Sequence, residues 1–368
     1  MKFFNENGRE NYNKNDTAKA FLWGGIIIPI FVSLCATFIL TFLASAFGMG
    51  LDEFLEVKAV LIFTILIAQI SFVIWLFYHN RKQDINPIKA LKFKKVDWRI
   101  AIIVAMLGVA MLFLINNFVS LVDAGLAGLG YVKENSVPLP VDSATNLIIG
   151  LFIMAIIPAF VEESLFRGVI LGGLLDKAKT KKQIICAIVV GAIIFALIHG
   201  SLQQFIYPII MGIVFGTIFF ITGNIWYSII LHMFSNGTVV VMNYVYSVLG
   251  TVDTPTVVNA EFVLTALLGL AIAIGLFVFA IWVIRKIVAK QTPAIIEPQK
   301  DENVVISEDG TVLSTGSEVD QKLDEYSQRK QSVFGAYSFK NLPNIALWLA
   351  FGISVLSLVL DFVTTILG

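Results

Sequence analysis

Charged residues, cysteine and histidine are all scarce in this sequence. Only 14% of the 368 residues are Asp, Glu, Lys or Arg, and the 26 basic and 26 acidic side chains cancel. A chain without a basic excess gives no reason to expect a nucleic-acid partner. The two cysteines, Cys35 and Cys186, both lie in apolar runs, which argues against a disulfide framework or a cysteine-rich metal site.

Apolar residues dominate what remains. They make up 57% of the chain, and the mean hydropathy is +0.84. Long apolar windows of this kind predict an all-α, polytopic transmembrane helical bundle rather than a soluble domain. We count nine spans, at 21–47, 57–77, 98–121, 146–175, 184–198, 202–221, 225–249, 262–288 and 345–367.

The charges between the windows alternate in sign along the chain. Lysine and arginine crowd every second gap, for example 81–99 and 177–182, whereas the gap 123–145 is mainly acidic. Basic loops face the cytoplasm. The pattern predicts a cytoplasmic N-terminus and a C-terminus on the outer side of the bilayer.

These features divide the chain into five segments. We expect a three-span region at 1–142, a core at 143–250, an eighth span at 251–288, a polar cytoplasmic insert at 289–340 and a last span at 341–368. The insert has the composition of an unstructured linker. A small hairpin around its Asp309-Gly310 turn signal is the alternative.

The central polar stretch lies inside the fourth apolar window. Glu162, Glu163 and Arg167 fall within six residues of one another, and each ionisable side chain costs about 3 kcal/mol at mid-bilayer. On a helix, Glu163 and Arg167 share a face, so we expect them to pair. That leaves Glu162 without a local partner, as a candidate general base for water. The competing interpretation is a polar cluster that only locks helices together.

Two of the three histidines follow in later windows. His199 lies one helical turn after Phe195, and His232 lies one turn before Asn236. With Glu162, these groups supply what amide hydrolysis requires: a base, an imidazole for water activation, and donors for an oxyanion. Glu162, His199 and His232 could instead bind zinc. The chain contains no His-Glu-x-x-His element, and the residues alone leave both mechanisms open.

The three motifs together resemble a known family. Glu162-Glu163-x-x-x-Arg167, Phe195-x-x-x-His199 and His232-x-x-x-Asn236, in this order, are similar to the CPBP (Abi) family of intramembrane proteases. That family includes the type II CAAX prenyl endopeptidases and bacterial proteins linked to bacteriocin self-immunity. The resemblance covers about residues 145–249.

The resemblance implies a role for each motif residue. Glu162 and His199 would activate the attacking water, and His232 with Asn236 would form the oxyanion hole. Glu163 and Arg167 would support them, with Phe195 preceding His199. It further implies an endopeptidase of the bacterial cell membrane that acts on a membrane-associated or prenyl-type peptide. No cofactor would be required, although the family is often labelled metalloprotease and zinc is possible.

Two rivals remain open at this point. A proton-coupled transporter could use the same charged residues as a relay, and a catalytically silent scaffold could keep the fold and bind partner membrane proteins. One geometric problem also remains. His199 lies near the outer end of its short span, whereas His232 lies about two turns from the inner start of its own. An uncharged linker at Thr222, Gly223 and Asn224 could dip below the surface, or Pro158 or Pro208 could kink its helix.

Overall fold

The structure is a computed structural model. It describes residues 20–55, 57–82, 91–131, 140–178, 180–202, 204–250, 258–291, 305–306, 312–313 and 345–367. Ten helices and one short hairpin account for most of these residues. Helix α1 begins with a π-helical section, Ala20–Ile27, and continues as Ile28–Ala46. The bounds of the next helices are α2 Leu51–Leu55, α3 Lys58–Lys82 and α4 Trp98–Gly128.

Helix α5 is one apolar rod from Ala144 to Lys177 in five sections. The helices that follow are α6 Lys181–Leu197, α7 Ile206–Thr222, α8 Ile225–Leu249, α9 Ala260–Gln291 and α10 Ile345–Leu367. Each of the nine apolar windows therefore contains a helix. The eighth span extends to Gln291, slightly into the segment predicted as the polar insert.

Six of the described helices are long and apolar enough to cross a bilayer. They are Phe21–Ala46, Lys58–Leu76, Trp98–Gly128, Ala144–Leu175, Ile225–Leu249 and Ala260–Lys290. Shorter apolar helices lie at Ile206–Thr222 and Leu349–Thr365. The predicted polytopic helical bundle is confirmed, and the chain is an integral membrane protein.

Small residues let the core helices approach closely. A Cβ atom added to Gly212 of α7 would lie 2.9 Å from Ala192 of α6, closer than any side chain tolerates. Gly216 faces Leu171 and Ile188 in the same way. The small-residue spacing of Gly212 and Gly216 thus serves packing within one chain.

Contacts between helix ends agree with the alternating topology. Beyond the C-terminal end of α4, Tyr131 Oη donates to Asp361 Oδ2 near the end of α10 at 2.6 Å, and Leu202, beyond α6, donates to the same oxygen. At the opposite face, Asp97 N before α4 donates to Tyr227 Oη at the start of α8 at 2.8 Å. Which face is cytoplasmic stays a prediction from the charge pattern.

The turn between α7 and α8 lies deep in the bundle. Gly223 ends α7 in the left-handed conformation with φ 56°, and Asn224 caps α8 through a bond to Trp226 N. The side-chain amide of Asn224 also donates to the backbone carbonyls of Lys94 and Lys95. The segment before α4 therefore covers this turn.

Gly168 shows how deep the turn lies. Ile225 is fully buried, and its Cδ1 would lie 3.6 Å from a Cβ atom added to Gly168. Gly168 lies about 14 Å above the end of α5 at Lys177, at 1.5 Å rise per residue. Starting α8 at that depth brings His232 level with Glu163. The linker dip, one of the alternatives raised by the sequence, is present.

The hairpin alternative is correct where the insert is described. Val305–Ile306 pairs antiparallel with Val312–Leu313. The remainder of the predicted insert beyond Gln291 lies outside the described residues.

Candidate active site

The helix that carries the acidic pair changes its winding on both sides of it. Helix α5 is π-helical at Leu151–Ile156, α-helical at Ile157–Glu163 and π-helical again at Ser164–Leu171. Wider turns of this type shift the face on which the following side chains project, and they recur at functional sites. Glu162 and Glu163 thus end a short α-helical section between two distortions.

Pro158 leaves a backbone carbonyl free near the first of these π-helical sections. Because proline has no N–H group, it cannot donate to the carbonyl of Met154 four residues earlier. Asn236 Nδ2 on α8 donates to that carbonyl at 3.2 Å. The bond ties Asn236 to the backbone just before the acidic pair and leaves the second amide hydrogen of Asn236 for another acceptor.

Glu163 is the centre of a buried network, which we call the Glu163 network and define as Glu163, Arg167 and His232. Glu163 Oε1 accepts from Arg167 Nη1 at 2.8 Å and from His232 Nδ1 at 2.9 Å. The three residues are 0%, 2% and 3% exposed. Burial at this level requires pairing, because an unpaired charge in the interior is very costly. The ion pair expected from helix spacing is therefore present.

The position of His232 corrects one expectation. Its imidazole was expected to converge on Glu162 as a possible zinc ligand, yet its Nδ1 is bonded to Glu163. A carboxylate oxygen accepts, so His232 Nδ1 carries a hydrogen, and Nε2 is the nitrogen left for a substrate. His232 bonds to Glu163 rather than to Glu162 because the deep start of α8 places the imidazole at the height of Glu163.

Aromatic rings enclose the Glu163 network. The Arg167 guanidinium lies 4.3 Å from the centre of the Phe195 ring and 4.9 Å from that of Phe215. Phe215 also stacks on His232, with ring centroids 4.9 Å apart. Stacking on aromatic faces stabilises a desolvated cation without supplying a competing base.

Glu162 has a different environment. It is partly exposed, and its Oε1 accepts from Gln69 Nε2 of α3 at 3.1 Å. Helix spacing within α5 left Glu162 without a local partner and reveals nothing about a donor on another helix, which Gln69 supplies. The partner is a neutral amide and not a cation, so the carboxylate is held in place without being neutralised.

His199 lies just beyond the end of α6. The backbone tightens there, with His199 N donating to Ala196 O at 3.2 Å. The Phe195 carbonyl is thereby left to the imidazole, whose Nδ1 lies 3.0 Å from it. A carbonyl only accepts, so Nδ1 carries the hydrogen, and Nε2 is free to accept a proton from water.

The three motifs converge on one place. Glu162 and His232 both lie within electrostatic range of the His199 ring. The Phe195 ring stands between the imidazoles, with its centroid 5.2 Å from that of His199 and 6.0 Å from that of His232. The geometric problem of the two histidines is resolved.

Several polar atoms at this place have no protein partner. Among the described residues, the buried side-chain atoms without a hydrogen bond include Gln69 Oε1, Glu163 Oε2 and Arg167 Nη2. Buried polar atoms are nearly always satisfied by protein or water. Three such atoms beside the acidic pair are candidate contacts for water or a peptide group.

Glu162, His199 and His232 are also the candidate ligands for a zinc ion. No group of three His, Cys, Asp or Glu side chains suited to a metal ion occurs in the described parts of the chain. Glu162, His199 and His232 in particular do not form one. Nδ1 of each histidine is engaged, one by the Phe195 carbonyl and one by Glu163, which leaves Nε2 as the nitrogen that a metal ion would use. In this arrangement the described side chains do not bring three such donors together.

The comparisons agree with this geometry. Residues 144–238 match the family model described as "Type II CAAX prenyl endopeptidase Rce1-like", and this segment contains all seven motif residues. This segment is therefore similar to that family of endopeptidases. The family region spans α5 to most of α8, so α3, with Gln69, and α10 lie outside it.

Two bacterial relatives are similar to this chain. One is "Membrane-embedded CAAX protease MroQ" of Staphylococcus aureus, 32% identical over 158 residues, which cover 42% of this chain and 64% of the relative. The other is "Putative membrane peptidase YdiL" of Bacillus subtilis, 29% identical over 146 residues, which cover 37% and 57%. The chain thus spans less than two thirds of the length of either. No solved structure matches it.

Two residues of the site, Gln69 and Phe215, are missing from the sequence-based prediction. Gln69 is an amide within the apolar run 57–77, a feature that indicates a polar contact between helices without naming its partner. Phe215 is one apolar residue among many, so its stacking on His232 follows only from the packed structure.

Proposed function

We propose that the chain is an intramembrane endopeptidase that hydrolyses a peptide bond of a membrane-associated substrate with a water molecule activated by Glu162 and His199. The observation that carries the proposal is the contrast between two adjacent acids. Glu163 is buried and paired with a cation, whereas Glu162 is partly exposed and bonded to a neutral amide. A general base must be reachable by water and must not be neutralised by a cation, and Glu162 meets both requirements.

The first step is attack of water on the scissile carbonyl. Water held between Glu162 and His199 Nε2 gives a proton to the Glu162 carboxylate, and its oxygen forms a bond to the carbonyl carbon. The carbonyl electron pair moves to oxygen. Asn236 donates to this oxyanion through its second amide hydrogen. His232 donates from Nε2 when both of its ring nitrogens carry a hydrogen, a form that the Glu163 carboxylate at Nδ1 favours.

The second step breaks the C–N bond. The tetrahedral intermediate collapses, and the proton on Glu162 passes to the departing amine. The products are a carboxylic acid and an amine, which become a carboxylate and an ammonium by transfer of the remaining water proton, and Glu162 returns to its starting state. Neither step includes a covalent enzyme intermediate or a metal ion.

The Glu163 network positions the donors. Glu163 fixes the orientation of His232 through Nδ1, so that Nε2 points away from the ion pair, as buried carboxylates commonly do for functional histidines. Asn236 is fixed from the other side by the Met154 carbonyl.

The substrate class follows from the relatives only as a proposal. MroQ is named a CAAX protease, and the family model is described by prenyl endopeptidase activity. We propose a peptide presented at the membrane surface. Whether the protein recognises a prenyl group is tested by comparing the cleavage rates of one peptide in two forms, farnesylated and unmodified. Each form is embedded in liposomes with the purified protein.

The deciding experiment compares wild type with Glu162→Ala and His199→Ala. Wild type is expected to cleave a membrane-proximal peptide, and each variant is expected to be inactive while unfolding at the wild-type temperature. Membrane peptides from cells that express wild type or Glu162→Ala, compared by mass spectrometry, identify the natural substrate. Unchanged cleavage by Glu162→Ala would remove the proposed base. Solute flux or a proton-coupled current lost in the same variants would establish the transporter instead.

A further inference from the structure

The C-terminal helix holds the segment that carries His199. Asp361 of α10 accepts two hydrogen bonds at Oδ2, from Tyr131 Oη at 2.6 Å and from Leu202 N at 3.0 Å. Leu202 lies three residues after His199. Helix α10 thereby contacts the site through a side chain that lies outside the family region.

The segment needs such a support because it is not helical. Helix α6 ends at Leu197, and Gly200 has φ 63°. Within the segment, the backbone bonds of His199 and Gly200 reach back only to Ala196 and Leu197. A short link with few internal bonds has low local stability unless other elements hold it.

Further contacts make the support specific. Tyr131 is 3% exposed, its ring stacks on Phe362 with centroids 5.8 Å apart, and its hydroxyl lies 3.4 Å from Ser201 Oγ. Ser201 is itself buried. Asp361 on α10 and Tyr131, just beyond the end of α4, therefore both hold residues 201 and 202.

Helix α10 is in turn packed against the rest of the bundle. It contacts α6 and the first section of α1, where Phe351 meets the fully buried Phe21 edge to face at 5.6 Å. The position of Asp361 is thus fixed by packing at the other end of its own helix.

We propose that Asp361 is a positioning residue of the active site, which holds the His199 segment in its working place through Leu202 and Tyr131. The inference rests on the proposed function only for its effect on turnover. Its structural part, the restraint of residue 199, can be measured without any substrate. Asp361 affects the site through the segment 199–202, to which it is bonded at Leu202.

The first test measures restraint directly. In the full chain with Cys35→Ser and Cys186→Ala, His199→Cys supplies one thiol, and its alkylation by N-ethylmaleimide is timed in detergent. Adding Asp361→Leu is expected to raise the rate by about tenfold, since hydrogen bonds to a charged acceptor are lost. Thr364→Val is the matched control, because the Thr364 hydroxyl bonds only to its own helix.

Three outcomes have a defined meaning. A rate that stays within about twofold of the parent in Asp361→Leu overturns the proposal. An equal acceleration at Cys186, measured with Cys35→Ser alone, also overturns it, because general loosening would then explain the result. If Asp361→Leu does not fold, Tyr131→Phe takes its place, since it removes a single hydroxyl and is expected to raise the rate at position 199 but not at Cys186.

The second test uses turnover of the liposome peptides. Asp361→Leu is expected to lower kcat by about tenfold or more with KM unchanged, because a small displacement of a catalytic group slows chemistry rather than binding. Asp361→Asn keeps an accepting oxygen and is expected to restore most of the rate. Wild-type cleavage in Asp361→Leu with none in Glu162→Ala overturns this inference alone. Wild-type cleavage in Glu162→Ala overturns the proposed function and leaves the alkylation result to judge the restraint.

Discussion

The two sides of the site differ in how their acids are held. Glu163 is fully buried, and one of its oxygens accepts from both a guanidinium and an imidazole. All three residues lie in the core matched by the family model, residues 144–238. Glu162, the next residue, is partly exposed and accepts from an amide on a helix outside that core. Adjacent residues of one type thus have separate roles: the Glu163 network fixes geometry, and Glu162 keeps a lone pair for chemistry.

The largest effect is expected from a substitution that removes the cation from the Glu163 network. Arg167→Met leaves the Glu163 carboxylate without its cation, and we expect a loss of about 3–5 kcal/mol in the free energy of unfolding. Thermal unfolding in detergent measures it. Arg99→Met is the control, since the Arg99 side chain of the Arg99–Asp97 pair is exposed, and little change is expected there. Equal effects of the two substitutions would contradict the structural role of the Glu163 network.

The next effect is on chemistry without stability. His199→Gln removes the imidazole Nε2 but leaves a group that can bond to the Phe195 carbonyl. We expect kcat to fall by about 10²–10⁴-fold, the usual contribution of a general acid or base, with an unchanged unfolding temperature. His232→Gln differs, because it also disturbs Glu163 and is expected to lower the unfolding temperature. A stable, fully active His199→Gln protein would remove His199 from the mechanism.

A smaller effect concerns the partner of Glu162. Gln69→Met has nearly the same size but cannot donate, and kcat is expected to fall by about tenfold, as for loss of one hydrogen bond to a charged group. Gln69→Asn keeps the amide on a shorter side chain and serves as its comparison. Steady-state cleavage of the liposome peptide measures both. A rate equal to wild type in Gln69→Met would show that Glu162 does not depend on this contact.

The smallest expected effect is that of metal removal. Because the described residues offer no fitting ligand group, we expect treatment with a chelator to leave cleavage within about twofold of the untreated rate, as expected when no metal-bound water is used. Metal analysis of the purified protein accompanies the assay. Stoichiometric zinc, with activity lost on chelation and restored by zinc, would overturn the metal-free mechanism.

Helix spacing alone predicted part of this arrangement. The nine apolar windows each contain a helix, and the i,i+4 rule identified the partner of Glu163 in Arg167. Both results depend on local geometry, which a sequence carries directly.

The contacts between helices were not predictable in the same way. His232 meets Glu163 because α8 starts beside Gly168, and that depth depends on Asn224 being held by the backbone of Lys94 and Lys95. Gln69 reaches Glu162 from a helix far away in the sequence. Neither contact leaves a periodic pattern in the chain, so each required the packed structure.

The central claim is the division of labour between Glu162 and Glu163, and the most direct measurement is cleavage of the liposome peptide by Glu162→Gln. This substitution keeps the size of the side chain and removes the base. We predict that cleavage falls below detection. The dissociation constant of the peptide and the unfolding temperature are expected to stay at wild-type values. Cleavage by Glu162→Gln at the wild-type rate would contradict the account.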